Sequence, residues 1–503
     1  MGYYFSLQYS GIQKTVFRYN RLWSIAGISQ ILSHLNELEM VSIAQNHGGS
    51  VVVAGGGKFT ARFPEREKAL LAKEEIIKVL SITLPMLEFQ SSPVLEGNSF
   101  QEIKYGYSAE NTVVPGILDY LNEAKKSYRG FGYSFNPHLK LCDECSEYPA
   151  EHKDKEEKLC RICFWAKKNA KLNYSRQFSS DCTTLEKIYF NFLADFDQEV
   201  QVPLNLEDIF PEGQEKKRIA VWVSDLNNMN QKVPIWLNQK EDEIKATFDK
   251  VTQINVDIIT QALKDTFQNI VVQREDSYFI PFRLIVAGGD DLCIVMDAKY
   301  VLKFATNLHY ALKNKIAQLD KGHPLHPQWL QARSKDNGKL GQYCFGASFV
   351  ITDLHTAFID VHRLAEDLMR EAKENTERKD NSINWQILST DFSPAESLLN
   401  FHKPLFFESQ DEQPGFCDYY KLCQKYHTLS SSKIFQLADI LMEHFATGAD
   451  LKKQILSLPQ IWKKGHVLRK LLQEKILQDN NHNFHPQRLA SLLELLTLYK
   501  EAK

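Results

Sequence analysis

The chain has 503 residues, of which 43% are hydrophobic and 24% are charged, so it is long enough for about three or four domains of ordinary size. Its net charge of −3 excludes a protein that coats nucleic acid through a uniformly basic surface. The sequence has neither a signal-peptide pattern nor an apolar run near the ~20 residues that cross a bilayer, so we expect a cytoplasmic protein without membrane contact.

The first predicted elements are a strand, a helix and a hairpin. The strand covers Tyr3–Tyr9 and the helix lies around Leu22–Leu38. Residues 49–63, GSVVVAGGGKFTARF, join two β-branched or aromatic runs through a glycine-rich break. This pattern indicates a β-hairpin, because glycine adopts the positive φ angles of a tight turn. The following stretch, EREKALLAKEEIIKVL, is rich in helix formers and predicts a second helix.

Two C-x-x-C pairs come next, Cys142–Cys145 and Cys160–Cys163, separated by a charged loop. Cysteines of a cytosolic protein are mostly reduced thiols or metal ligands. Four thiolates at this spacing close a tetrahedral shell, so we predict a structural Zn²⁺ site with no open position for catalysis. A redox role is the alternative, but no thioredoxin-like βαβ pattern surrounds the pairs. The remaining cysteines are expected to be small buried hydrophobic residues: Cys182, Cys293, Cys344, Cys417 and Cys423.

The element order of the first part then recurs. The strand RIAVWVSD (218–225) precedes a helical pattern from about Glu241 to Phe267, and residues 282–296, FRLIVAGGDDLCIVM, repeat the hairpin design. Strand, helix, hairpin, helix and strand in this order are typical of a ferredoxin-like or palm fold. We therefore predict two palm-like domains from a diverged duplication, with chance similarity of two glycine-rich hairpins as the alternative. The elements predicted behind the second hairpin are helix Tyr300–Gln318, strand Tyr343–Ile351 and helix Ala357–Glu374.

The chain beyond about residue 400 is mostly helical in pattern, with apolar spacing at Ile434–Phe445 and Leu489–Leu498. The expected fold class is therefore α+β: two ferredoxin-like palm (polymerase/cyclase) domains, a zinc-containing helical insert and a C-terminal helical domain. The predicted boundaries are 1–110 for the first palm, 111–215 for the helical domain with the zinc site, 216–400 for the second palm and 401–503 for the C-terminal helical bundle.

Only the second half carries acidic residues where chemistry would occur. Asp225 ends its first strand, and Asp290 and Asp291 form the tip of its hairpin. Phosphoryl transfer needs cations that hold the attacking oxygen and the leaving pyrophosphate, and Mg²⁺ binds carboxylates together with substrate phosphates. A GGDD turn alone is often a solvated turn, but the strand-ending Asp225 strengthens the catalytic interpretation. At the aligned positions the first half has Gln8, Gly57 and Lys58.

These motifs resemble a known family, the large polymerase-cyclase subunit of type III CRISPR effector complexes. That family has an AGGG-type hairpin in a first palm, a four-cysteine zinc insert, and a second palm with a D-x-D-N-hydrophobic strand end and a GGDD hairpin. The matching stretches occur in the same order and span most of the chain. They are SGIQ (10–13), AGGGKF (54–59), the four cysteines, SDLNNMN (224–230), AGGDDL (287–292), FGASFVI (345–351) and LAEDLMREAKE (364–374).

The resemblance implies a nucleotidyltransferase that binds two ATP molecules between its palms and joins them 3′ to 5′ into cyclic oligoadenylates, with release of pyrophosphate, when target RNA is bound. Asp225 and Asp290 would bind Mg²⁺ or Mn²⁺, and Asp291 would assist. Lys373 matches a triphosphate-contacting lysine, although an exposed lysine on a helix is the ordinary alternative. The residues expected to shape the nucleotide pockets are Gly55, Gly56, Gly57, Gly288 and Gly289.

The resemblance also implies partners. These are ATP, the subunits of a guide RNA–protein complex (a small helical subunit and a subunit that binds the 5′ end of the guide) and, indirectly, target RNA.

Three departures from the family pattern affect the prediction. Many members begin with an HD nuclease domain, but none of the fifteen histidines here precedes an aspartate, so we expect no HD nuclease. The second acid of the strand end is Asn227, and the usual following glycine is Asn230. Gln8 replaces an acid of the first palm, which suits a half that positions a nucleotide.

Two other functions fit the sequence. One is a stand-alone class III or diguanylate-type cyclase, but such enzymes usually pair two equal halves, and the halves here are unequal. The other is a catalytically weak or inactive scaffold subunit of the same RNA-binding complex, which the substitution at Asn227 keeps open.

Overall fold

The computed structural model describes residues 1–19, 21–104, 107–109, 112–114, 116–121, 140–172, 182–333, 342–388, 404–410, 413–448, 450–456, 458, 467–474, 477 and 485–501. The strands in this part of the chain are β1 (Gly2–Ser10), β2 (Ser50–Gly55), β3 (Lys58–Phe63), β4 (Glu88–Ser91), β5 (Leu95–Gly97), β6 (Tyr107–Ala109), β7 (Thr112–Val114), β8 (His152–Asp154), β9 (Glu157–Leu159), β10 (Arg218–Leu226), β11 (Val272–Arg274), β12 (Ser277–Phe279), β13 (Phe282–Gly288), β14 (Asp291–Asp297), β15 (Phe345–Asp353), β16 (Ser382–Ile387) and β17 (Leu405–Phe406).

The α-helices in the same ranges are α1 (Ile12–Val16), α2 (Leu22–His34), α3 (Met40–Asn46), α4 (Arg66–Thr83), α5 (Phe100–Ile103), α6 (Arg161–Asn169), α7 (Thr184–Leu193), α8 (Met229–Trp236), α9 (Glu241–Phe267), α10 (Val301–Ala317), α11 (Pro327–Arg333), α12 (Phe358–Asn375), α13 (Phe416–Tyr426), α14 (Ser431–Thr447), α15 (Leu451–Leu456), α16 (Val467–Leu472) and α17 (Pro486–Glu501). A π-helical segment, Leu35–Glu39, joins α2 to α3.

The first sheet belongs to the first palm. Its strands lie in the order β2-β3-β1-β4, all antiparallel, and β5 also pairs with β1. Neighbouring residues of a strand point to opposite faces of a sheet. Tyr4 and Phe5 of β1 are both fully buried, so both faces of this strand are covered.

The second sheet has the order β13-β14-β10-β15-β16-β17 and belongs to the second palm. Its β15–β16 pair is parallel, and the other pairs are antiparallel. The central strand β10 is rich in β-branched and aromatic residues, and it is buried on both faces. Trp222 of this strand packs edge-on against Phe304 of α10, with ring centroids 5.4 Å apart.

The two sheets share the geometry of their hairpins. In both sheets the second hairpin strand pairs with the leading strand, and the strand ladder skips one residue at equivalent positions, Val52 and Ile285. A β-bulge of this kind bends a strand and aims its tip. Two bulges in the same register support the predicted duplication. The equivalent register sets are Gln8–Lys58–Gly55 in the first palm and Asp225–Asp291–Gly288 in the second.

The cysteine-containing segment packs on the first palm, where α6 lies against α2. A side chain at Gly27 of α2 would collide with the Ala166 carbonyl of α6, so glycine is required for this approach. At the other end of the chain, α17 packs on α13 and α14. It joins the second palm through a hydrogen bond from Trp385 Nε1 to Glu494 Oε2 of 3.0 Å between buried side chains.

The predicted fold class is confirmed. The observed elements match the predicted ones closely from helix Glu241–Phe267, through the second hairpin, to helix Val301–Ala317. The strand pair β16–β17 was not predicted, because its short runs are partly polar. The domain boundaries stay predictions. Across the described residues, every helix is too short or too polar to cross a bilayer.

Candidate active site

Three carboxylates meet where the second hairpin turns. Asp225 at the end of β10 pairs in register with Asp291 at the start of β14, and Asp290 occupies the turn before it. One oxygen from each carboxylate lies within 4.8 Å of the others. Divalent Mg²⁺ and Mn²⁺ prefer carboxylate oxygens. The predicted residues are therefore brought together, and their donor set fits such a cation.

The electrostatics of this carboxylate cluster favour binding of a cation. Burial, followed by the charge of Asp225, raises the pKa of Asp290, while Lys373 and Lys58 act in the opposite direction. Asp291 is exposed at the protein surface, but the protein atoms packed around its carboxyl group, followed by the charge of Asp290, raise its pKa to about 8. Like charges held this close disfavour full ionisation until a cation compensates them.

Lys373 of α12 reaches the carboxylate cluster through a narrow passage. Its side chain is 2% exposed, and its ammonium group donates a hydrogen bond to Asp225 Oδ2. The lysine crosses β15 over Gly346, the residue paired with Asp225. A Cβ atom at Gly346 would overlap the aliphatic part of the Lys373 side chain. The absence of a side chain at Gly346 therefore leaves the space that the Lys373 side chain occupies on its way to Asp225.

We expect Gly346→Ala to displace Lys373 from Asp225. The added methyl group overpacks a buried site, which typically lowers the free energy of unfolding by about 1–3 kcal/mol. Misplacement of a charged group by about 1 Å should lower any activity of this site by roughly a hundredfold. Chemical denaturation and a product assay measure the two effects. Gly322→Ala is the matched control, because a Cβ there meets no atom within 4 Å. Equal stability and activity of the two variants would contradict this role of Gly346.

The tips of the two glycine hairpins face each other. A Cβ at Gly289 would lie 3.4 Å from Gly56 Cα, and both glycines have positive φ angles, of 64° and 56°. Asn255 Nδ2 donates a 2.8 Å hydrogen bond to Gly289 O, and Tyr343 OH donates a 2.6 Å bond to Asn255 Oδ1. This chain of bonds fixes the second hairpin turn opposite the first.

A cavity of about 510 Å³ opens between the tips, within the range of small-molecule sites. We call it the inter-palm cavity. Its hairpin walls consist of Gly55, Gly56, Lys58, Gly288, Gly289 and Asp290.

Asp290 lines this cavity, whereas Asp225, Asp291 and Lys373 do not, and two further residues singled out in the sequence also lie apart from it. Gly57 is buried, and a Cβ there would lie 2.7 Å from Ile12 Cδ1, so it packs beneath the turn. Asn227 is 1% exposed, and its amide nitrogen donates to Cys344 Sγ at 3.3 Å and to Asp380 O at 3.4 Å. The amide nitrogen of Asn227 therefore donates to groups outside the carboxylate cluster. The three carboxylates come together although this position holds Asn in place of an acid.

The four zinc-motif cysteines form the other group of potential metal ligands in the described ranges. The sulfurs of Cys142, Cys145, Cys160 and Cys163 all lie within 4.8 Å of one another. Cys163 N donates to Cys160 Sγ at 3.4 Å, at the start of α6. Four converging sulfur donors fit a structural Zn²⁺ site.

Arg283 links the four-cysteine segment to the second hairpin. It lies on β13 and is 1% exposed. Its guanidinium donates to Ala170 O, at the end of α6, at 2.7 Å and to Pro203 O at 3.2 Å. The end of α6, the helix that begins beside Cys160, is therefore tied to the strand that leads into the GGDD turn.

Sequence reasoning missed Gly346, Asn255, Tyr343 and Arg283. A glycine inside the predicted strand FGASFVI was a usable signal for Gly346, since such a glycine often marks a close approach. The other three residues carried no signal, because their partners are distant in sequence.

Searches of protein-family models and of curated proteins found no match. Solved structures do match over nearly the whole chain. Csm1 in T. onnurineus is 13% identical with a TM-score of 0.52, covering 99% of this chain and 69% of that one. An apo Csm1–Csm4 cassette is 14% identical with a TM-score of 0.51, covering 99% and 70%. A Csm1–Csm4 cassette in complex with cA4 is 13% identical with a TM-score of 0.50, again covering 99% and 70%. These likenesses show that the chain has the Csm1 fold.

Proposed function

We propose that this chain is the large polymerase-cyclase subunit of a type III CRISPR effector complex and converts ATP to cyclic oligoadenylates. The observation that carries the proposal is the three-carboxylate cluster, whose Asp290 lines the inter-palm cavity, in a chain with the Csm1 fold. The similar Csm1–Csm4 cassette was solved with cA4, which supports a nucleotide oligomer as the product.

The second palm supplies the reacting centre. Asp225, Asp290 and Asp291 would hold the divalent cations, which would supply Lewis-acid stabilisation of the triphosphate. Gly288 leaves the hairpin backbone open to phosphate oxygens, since a Cβ there would meet no atom within 4 Å, and Lys373 stands beside Asp225 to contact the triphosphate. The 3′-hydroxyl of one nucleotide attacks the α-phosphorus of the other and gives up its proton to solvent, while the bond from the α-phosphorus to pyrophosphate breaks and pyrophosphate leaves. The residues act mainly by positioning and charge compensation, as phosphoryl transfer requires.

The first palm supplies the surface for the second nucleotide. Its hairpin faces the GGDD turn across the inter-palm cavity, and its apolar wall includes Val51, Val52 and Val53, which suit a base and ribose. Both sites are thus contributed by one chain. This arrangement favours a composite cyclase over a stand-alone enzyme that would need a second catalytic half from another copy.

The proposal extends to partners. A subunit of the Csm4 kind would complete a cassette with this chain, as in the similar Csm1–Csm4 structures. A small helical subunit, guide RNA and target RNA would complete the effector complex. The zinc segment contributes structure to the first palm through the α6–α2 contact.

A product assay tests the proposed activity. The assembled complex is incubated with ATP, Mg²⁺ or Mn²⁺ and target RNA, and the products are analysed by mass spectrometry. We expect cyclic oligoadenylates from the wild type and none above background from Asp290→Ala/Asp291→Ala. Asp320→Ala serves as the matched control, because Asp320 is an exposed residue of the second palm. If the target-bound complex forms no product from any of the four nucleotides, the chain is a scaffold subunit and the catalytic proposal is wrong.

A further inference from the structure

The first palm carries a lysine where the second palm carries an acid. Lys58 pairs with Gln8 on one side and Gly55 on the other, as Asp291 pairs with Asp225 and Gly288. The bulges at equivalent positions in both hairpins fix this register, so the correspondence does not depend on sequence alignment alone. The two hairpins therefore carry opposite charges at the same point.

The lysine belongs to the inter-palm cavity. Lys58 lines it together with Gly55 and Gly56 of its own hairpin and with Asp290 of the other. A Cβ at Gly55 or Gly56 would meet no atom within 4 Å, so the backbone beside Lys58 is open to a ligand. Lys58 thus lies at an open glycine turn that faces Asp290 across the inter-palm cavity.

We propose that Lys58 binds the triphosphate of the nucleotide in the first palm, and that this pocket therefore takes ATP without a divalent cation. The inference rests on the proposed function, because it assigns one of the two nucleotide positions of the cyclase. In the second palm three carboxylates repel a triphosphate until cations bridge them. In the first palm the aligned residues Gln8 and Gly57 carry no charge, and Lys58 compensates the phosphates directly.

Other charged groups line the inter-palm cavity and bear on this assignment. Glu37 accepts hydrogen bonds from Thr184 N at 2.7 Å and Thr184 Oγ1 at 2.8 Å, so its carboxylate is already engaged. Asp249 on α9 adds a negative charge, and two more lysines add positive charge. Lys58 is set apart by its place on the hairpin next to the open glycines. The two additional lysines are Lys187 and Lys245.

The consequence is a division of labour between the palms. The first nucleotide pocket fills in the absence of metal, and the second fills only when cations are present. Because the 3′-hydroxyl must lie near the other α-phosphorus, a lysine that fixes one triphosphate also fixes the register of the two nucleotides.

Equilibrium binding of 3′-deoxyATP to the full chain tests the inference, since this nucleotide lacks the hydroxyl group needed for joining. With EDTA we expect one molecule bound per chain, and with Mg²⁺ we expect two. Lys58→Gln should raise the Kd of the EDTA-resistant site by about ten- to a hundredfold, the usual worth of a charged hydrogen bond. Asp290→Asn/Asp291→Asn should keep that site and lose the Mg²⁺-dependent one.

Lys68→Gln is the matched control, because Lys68 lies on the exposed face of α4 in the same palm and pairs with Glu65 at 2.7 Å. No binding to the wild type in EDTA would overturn the inference. So would an unchanged Kd in Lys58→Gln, or a loss caused by Lys187→Gln or Lys245→Gln in its place. If the chain binds no nucleotide in EDTA but still makes cyclic products, this inference is wrong and the proposed function remains. If nucleotide binding in EDTA depends on Lys58 but the chain makes no product, only the proposed activity is wrong.

Discussion

Asp291→Asn is expected to abolish nucleotidyl transfer while it stabilises the cation-free protein above acidic pH. Removal of one member of the carboxylate cluster should lower the rate by about 10³-fold or more, since charge stabilisation dominates phosphoryl transfer. The gain in stability follows from the raised pKa. A carboxylate that is hard to ionise in the folded state favours unfolding once the solution pH ionises it in the unfolded chain.

The effect of Asp291 on the stability of the folded protein changes with pH. The folded-state pKa of Asp291 is raised from 3.8 to about 8, mainly by burial and then by Asp290. Below the ordinary carboxyl value both states are protonated, and Asp291 has no effect. As the pH rises from 3.8 to about 8, Asp291 ionises in the unfolded chain but not in the folded protein, so the free energy of unfolding of the wild type falls. Above about pH 8 both states are ionised, and the free energy of unfolding falls no further because of Asp291. The variant should therefore exceed the wild type in Tm by a margin that widens from pH 5 to pH 8.

The cation response gives the second half of the test. Mn²⁺ at about 100 times its Kd should stabilise the wild type by roughly 2.7 kcal/mol. Asp291→Asn should lose most of that gain, because one carboxylate ligand is missing. Thermal unfolding with and without Mn²⁺ at each pH measures both effects, and Asp320→Asn is the control for an exposed carboxylate. A variant that matches the wild type in cation response would show that Asp291 does not hold the metal.

The sequence was informative wherever function depends on residues close together in the chain. Asp290 and Asp291 lie within one hairpin. The glycines and β-branched residues around them predict that hairpin from the sequence. Asp225 was predictable because it ends a strongly apolar strand, and strand ends of a palm converge at one edge of the sheet. The four sulfurs converge for the same reason, since two short C-x-x-C turns supply two ligands each.

Contacts between distant segments could not be derived in this way. The passage of Lys373 over Gly346 depends on how α12 lies across β15, and the 3.4 Å approach of Gly289 to Gly56 depends on the packing of two palms. Neither has a periodic signal in the sequence. Alignment of the halves identified Lys58 as a difference, but its meaning required the cavity that it shares with Asp290.

Cys163→Ser is expected to remove zinc and to destabilise both the insert and the catalytic hairpin. Binding of a structural zinc contributes directly to the free energy of folding. Without it α6 should lose its place on α2, and Arg283 should lose its acceptor at Ala170 O. Loss of one hydrogen-bond acceptor by a buried charged group typically costs about 1–3 kcal/mol, in addition to the lost free energy of zinc binding. We therefore expect a loss of at least about 3 kcal/mol in unfolding free energy, together with weaker nucleotide binding.

Two further variants separate zinc loss from other causes. Cys423→Ser places the same hydroxyl group at a buried cysteine outside the zinc motif, and it should keep the zinc content of the wild type. Arg283→Met keeps zinc but cuts the link to β13, so it should weaken nucleotide binding without changing the metal content measured by mass spectrometry. If Cys163→Ser destabilises the protein while Arg283→Met binds nucleotide normally, zinc supports only the first palm. If both variants bind nucleotide poorly, the zinc segment positions the GGDD hairpin through Arg283, and the two palms depend on one metal for their alignment.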